Sequence, residues 1–138
     1  MGTHTHTLEY HLLHKLELKL MDRSMLKYQF NMGAIVADKK GQILSYGFNS
    51  YTKTHPKQYL YNKGVRNNRI YLHAEIDSLI KCSTLMSAAH ILIVARLGRD
   101  GKLHLAKPCE GCMKAIVESK IKYAYYTNDY NELVLIDK

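Results

Sequence analysis

A chain of 138 residues, 46% of them hydrophobic, can bury one proper core, so a single domain over residues 8–138 is expected. Twenty Lys and Arg against twelve Asp and Glu give a net charge of +8, which favours anionic partners from a single phosphate to a polynucleotide. No stretch approaches the ~18 to 20 apolar residues of a membrane span, no apolar signal region opens the chain, and three cysteines are too few for a disulfide scaffold. Membrane and disulfide-rich secreted classes are thereby set aside, and a reducing, cytoplasmic setting is expected.

Residues 1–7 alternate Thr and His and read as a disordered tail or an appended remnant. From residue 8 to 21, Leu8, Leu12, Leu13, Leu16, Leu20 and Met21 keep helical steps, which predicts an amphipathic helix covering one face of a sheet. The apolar run 32–37 predicts a buried strand, Asp38-Lys39-Lys40-Gly41 a turn, and residues 42–47 the returning strand of a hairpin. That hairpin ends in Gly47-Phe48-Asn49. Residues 50–70 form a polar excursion in which Tyr51, Tyr59 and Tyr61 interleave with Lys53, His55, Lys57, Lys63, Arg66 and Arg69. A connection this long reads as a functional lid, and its composition suits stacking on bases and pairing with phosphates.

Tyr71-Leu72 leads into His73-Ala74-Glu75, where Ile76, Leu79 and Ile80 mark a helix over about 73–86. Cys82 falls on that helix as a small buried hydrophobe. Residues 90–95 are a β-branched-rich run, expected as a central strand. A hairpin-like excursion follows over 96–107, with Asp100-Gly101 as its turn and Ala106-Lys107 at its end. Pro108-Cys109-Glu110-Gly111-Cys112 then opens a second helix, carried on by Met113, Ile116 and Val117. Residues 121–127 predict a strand and 133–136 a last edge strand.

One imidazole and two thiolates, His73, Cys109 and Cys112, make a ligand set suited to tetrahedral zinc with its fourth position open to water. Cys109 and Cys112 are i and i+3, so on a helix they share a face near its positive end. Glu75 is the residue a purely structural site would not need, because a carboxylate beside zinc-bound water can take its proton and hand it on.

Together, His73-Ala74-Glu75 and Pro108-Cys109-Glu110-Gly111-Cys112 resemble the zinc-dependent nucleobase deaminases of the cytidine and deoxycytidylate deaminase superfamily. Asn49-Ser50-Tyr51-Thr52-Lys53-Thr54-His55-Pro56 is further similar to small phage-type deoxycytidylate deaminases. The resemblance implies a cytidine-deaminase-like three-layer α/β/α sandwich with a mixed central sheet, holding zinc. It implies hydrolytic deamination of a cytosine nucleotide, best dCMP to dUMP and ammonia, by zinc-bound hydroxide with Glu75 as proton shuttle. Asn49 then matches a substrate-binding position, with Ala74, Lys53, His55 and Tyr126 as further substrate contacts. Set against these roles, Asn49 can simply end a strand, and Tyr126 can simply pack on the sheet.

A homo-oligomer is expected, in a host's cytoplasm if the source is viral. The second choice of function is a nucleic-acid-editing deaminase acting on tRNA adenosine or single-strand cytosine, which the charge keeps open. A third is a non-catalytic zinc-stabilised interaction domain, against which the intact Glu75 argues.

Overall fold

Two apolar faces from opposite sides of one sheet decide the architecture. The computed structural model describes residues 7–24, 31–50, 53–62 and 72–137. Helix α1 (Thr7–Ser24) precedes the hairpin strands β1 (Asn31–Ala37) and β2 (Ile43–Phe48). Helices α2 (Pro56–Asn62) and α3 (Ala74–Lys81) follow, then a 3-10 helix at Ser83–Ala88 and strands β3 (Ile91–Leu97) and β4 (Leu103–His104). Helix α4 (Glu110–Ser119), β5 (Tyr123–Thr127) and β6 (Leu133–Leu135) complete the described chain. Of the expected tail, only Thr7 is described, and it already belongs to α1.

The sheet order is β2-β1-β3-β5-β6, with β4 paired to β3. Among the described strands only the β3–β5 pair runs parallel, so the sheet is mixed, as expected. Alternation along the strands splits the core in two. Ala34, Val36, Leu92, Val94 and Ala124 face the layer holding α3 and α4, where they meet Ile76, Leu79, Ala115 and Ile116. Ile35, Ala37, Ile91, Ile93, Ala95 and Tyr125 face Leu12, Leu13, Leu16 and Leu20 of α1. Those four leucines are at most 4% exposed, and each contributes about 1.5–3 kcal/mol by leaving water. With α1 on one face and α2, α3 and α4 on the other, the fold is a three-layer α/β/α sandwich.

Glycine is required at two hairpin positions. Gly41 has φ +90 in the β1–β2 turn, where the Asp38 carboxylate accepts hydrogen bonds from the Lys40 and Gln42 N–H groups. Gly47 lies against the backbone of α3: a Cβ there would strike the Ser78 nitrogen and the Ala74 carbonyl, and would sit 2.7 Å from Ser78 Cα. Phe48 N–H donates to Asp77 Oδ2 at 2.9 Å, locking the same approach. Gly47→Ala should therefore destabilise the fold by about 1–3 kcal/mol, the cost of overpacking a filled site. Urea unfolding of the variant beside wild type checks this.

Three elements differ from the sequence-based expectations. The excursion 50–70 contains helix α2, which Pro56 opens at its first position, where a missing N–H costs nothing. The helix begun at His73 stays α-helical only to Lys81, and Ser83-Thr84, poor interior helix residues, continue as 3-10. Strand β3 runs on to Leu97, so Arg96 and Leu97 pair with His104 and Leu103, giving the 96–107 excursion a short strand of its own. Cys82 is fully buried, and its thiol contacts the Leu79 carbonyl at 3.7 Å, in keeping with a packing role.

Candidate active site

His73 is the residue immediately before α3, and Cys109 the residue immediately before α4. The two helix N-termini thus bring their ligands together on the same side of the sheet. His73 Nδ1 lies 3.3 Å from Cys112 Sγ and 3.5 Å from Cys109 Sγ. Zn–N and Zn–S bonds of about 2.0–2.1 and 2.3 Å, arranged tetrahedrally, require N···S separations of about 3.5 Å, so the donors fit zinc. Among the described residues, these three form the one His/Cys/Asp/Glu group with all its ligand atoms within 4.8 Å of one another.

The helix start supports the thiolates directly. Cys109 Sγ accepts the Cys112 N–H at 3.5 Å as the cap of α4. Cys109 is held down to about 3, first by a hydrogen bond from the Cys112 thiol and also by His73. Cys112, donor of that bond and deeply buried, is pushed the other way. Glu75, in the first turn of α3, is 3% exposed, and His73, Cys109 and Cys112 are near enough to influence its carboxyl. Burial pushes its pKa up, with the positive charge of His73 acting against that. A proton-accepting group therefore stands beside the ligand cluster without belonging to it.

The 96–107 excursion fixes the chain that delivers the cysteines. Ala106 N–H donates to the Thr127 carbonyl at 2.9 Å, and Thr127 Oγ1 donates to the His104 carbonyl at 2.7 Å. The His104 ring lies between two carboxylates, with Nε2 3.0 Å from Asp100 and Nδ1 3.2 Å from Asp129. A neutral imidazole can donate only one of those bonds, so the pair favours imidazolium, and the hydrogen bond with Asp100 leads in raising the His104 pKa. Lys107, on the way to Pro108, is exposed.

The expected substrate residues lie on four segments of the chain. Ala74 is buried as the first residue of α3. Lys53 is exposed, and its carbonyl accepts the Leu72 N–H at 2.9 Å, beside the approach to His73. His55 Nδ1 accepts the Lys57 N–H at 3.0 Å at the start of α2. Tyr126 is half-buried and packs on the core under α3 and α4. Asn49 Oδ1 accepts from Met32 N–H at 3.0 Å and from Arg23 at 3.1 Å, so this end of its amide is held by the scaffold. Tyr51, Lys63, Arg66 and Arg69 of the expected lid lie outside the described residues.

Two residues of this region were not legible in the sequence. Arg23, in the last turn of α1, hydrogen-bonds Asn31, Met32 and Asn49 and lies over the Phe48 ring at 4.9 Å, tying α1 to the open end of the hairpin. Gln58 of α2 is fully buried, and its Oε1 accepts the His73 N–H at 2.9 Å. No local pattern announces either residue, because each is defined by partners distant in sequence.

Comparison with known proteins agrees with this arrangement. The family profile for the cytidine and deoxycytidylate deaminase zinc-binding region matches residues 8–128. Among solved structures, dCMP deaminase from the cyanophage S-TIM5 in complex with dCMP and dUMP is similar at a TM-score of 0.54 and 24% identity, over 94% of this chain and 85% of that one. The apo form of the same cyanophage enzyme is similar at a TM-score of 0.49 and 24% identity, over 86% and 84%. Comparison with curated proteins returned no match. With most of its length matched, and a His/Cys/Cys group that fits the metal, the chain belongs to the cytidine and deoxycytidylate deaminase family and is a zinc-dependent deaminase.

Proposed function

We propose that the chain hydrolyses the amino group from a cytosine nucleotide, converting deoxycytidylate to deoxyuridylate with release of ammonia. One observation carries this reading: a buried carboxyl, Glu75, set beside a His/Cys/Cys cluster. His73, Cys109 and Cys112 would hold the zinc. When bound, it supplies activation of a water at neutral pH for attack on the ring carbon that carries the amino group. Glu75 relays both protons of that water, one to the adjacent ring nitrogen and one to the departing amino nitrogen, so that N=C–NH2 and H2O become HN–C=O and NH3. Its burial suits the task, because a carboxyl raised toward neutrality can both accept and return a proton.

The remaining residues position the substrate. Ala74 lines the floor at the start of α3, Asn49 faces the sugar from the end of the hairpin, and Tyr126 approaches from β5. Lys53 and His55 stand at the phosphate end, on the exposed segment preceding α2. A phosphorylated substrate is favoured because the segment 50–70 carries more positive charge than an uncharged nucleoside would reward. The cyanophage enzyme of the same fold, crystallised with dCMP and dUMP, points to the same substrate.

Ammonia release from deoxycytidine, deoxycytidylate and short cytosine oligonucleotides tests the reading. Deoxycytidylate should exceed deoxycytidine in kcat/KM by at least ~10-fold, the worth of one charge-assisted bond. Equal turnover of the two, or activity confined to oligonucleotides, would contradict it. Asn49→Ala should lower kcat/KM at least fivefold, since it removes a substrate hydrogen bond of about 1 kcal/mol together with the two scaffold bonds that its Oδ1 accepts, with zinc content unchanged. Steady-state kinetics beside metal analysis of the same preparation checks this.

A further inference from the structure

We infer that Arg23 is a positioning residue for substrate recognition, its guanidinium fixing which end of the Asn49 amide meets the sugar. This rests on the reading of Asn49 as a sugar contact given above and extends it to α1, which carries none of the site motifs.

Asn49 is gripped through side chain and main chain together. Its Oδ1 accepts from Arg23 Nη1 at 3.1 Å and from the Met32 N–H at 3.0 Å. Its carbonyl accepts from Arg23 Nη2 at 2.9 Å, and its N–H donates to the Met32 carbonyl at 3.2 Å. A guanidinium and a peptide N–H can only donate, so the end of the amide facing them is the oxygen. The NH2 group projects from the same carbon in another direction. The amide therefore offers a sugar a donor, and the sugar oxygen is the acceptor. The terminal torsion of an Asn side chain is broad and roughly two-fold, so this orientation needs holding, and Arg23 is one of its two printed anchors.

Arg23 can serve this way because its own place is fixed. It lies in the last turn of α1 with its guanidinium 4.9 Å over the Phe48 ring, and Nη1 also donates to the Met32 carbonyl at 3.0 Å and to Asn31 Oδ1 at 3.3 Å. Asn31 is buried and donates from Nδ2 to the Leu20 carbonyl at 2.6 Å, which joins the group to the leucine face of α1. The planar fork of an arginine reaches the side-chain and main-chain oxygens of Asn49 with separate nitrogens, a rigid two-point hold.

The ratio of kcat/KM for deoxycytidylate to that for dideoxycytidylate, which lacks the sugar hydroxyl, tests this on Arg23→Met and Arg23→Gln, with zinc content and Tm measured alongside. Wild type should favour deoxycytidylate at least about fivefold, the worth of one hydrogen bond, and Asn49→Ala should bring the ratio to about one. Arg23→Met keeps an extended side chain without a donor. Arg23→Gln is shorter, neutral and polar, and it carries the test alone if Arg23→Met fails to fold. Each folded Arg23 variant should also bring the ratio to about one, chiefly by slowing deoxycytidylate, with zinc content unchanged. A merely structural role would lower Tm and slow both nucleotides in step. The wild-type ratio in a folded Arg23 variant would therefore overturn the inference while leaving the deaminase reading standing. A ratio of about one in wild type would overturn it together with the sugar-contact reading of Asn49, and no turnover of either nucleotide would overturn the function proposed above as well.

Discussion

Glu75→Gln should abolish most turnover while leaving zinc and fold in place. The substitution preserves shape and volume at a site that is 3% exposed, so the packing around it has little reason to change. Gln can neither accept the proton of the attacking water nor return it to the leaving nitrogen. General acid–base catalysis is worth about 10²–10⁴-fold, so kcat should fall by at least ~100-fold. Because Glu75 lies outside the three-ligand group, zinc content should stay near one per chain. Steady-state kinetics with metal analysis on one preparation separates the two effects. A wild-type rate in this variant would remove Glu75 from the chemistry.

Cys109→Ala and Cys112→Ala should instead lose the metal, and stability with it. Each removes one of only three protein donors, and Cys109 also caps α4 by accepting the Cys112 N–H. A bound ion stabilises the folded state by about 4 kcal/mol when free zinc stands at about a thousand times its Kd. Forfeiting that should lower Tm on the order of 10 °C. Thermal unfolding with and without chelator checks it. Chelator should lower the Tm of wild type but leave either Cys variant nearly unchanged, since the variants have little metal left to lose.

The chain's local patterns disclosed much of the fold. Continuous apolar runs at 32–37 and 90–95 predicted β1 and β3, since strands buried on both faces leave no room for polar alternation. Leucines at helical steps predicted α1, and the Asp38–Gly41 turn chemistry predicted the hairpin. The zinc-fitting group His73, Cys109 and Cys112, with Glu75 nearby, stood out in the sequence because metal chemistry restricts residue type and spacing.

What escaped was set by tertiary contact. Helix α2 is seven residues long and sits within a polar stretch, too short for a periodic signal. Gln58 on that helix looks like any surface glutamine until α3 and α4 enclose it. Asn49 was expected for its place in Gly-x-Asn, yet Arg23, 26 residues earlier, gives its carbonyl oxygen a scaffold role as well. Gly47 of the same motif serves the close approach of β2 to α3, which no sequence spacing displays.

X-ray absorption at the zinc edge tests the central claim most directly. For wild-type protein carrying about one zinc per chain, the account predicts two sulfurs at about 2.3 Å and two light scatterers at about 2.0–2.1 Å, one being His73 nitrogen and the other solvent oxygen. A third sulfur, or a second histidine filling the solvent position, would describe a closed structural site. That result would contradict a catalytic zinc in this chain.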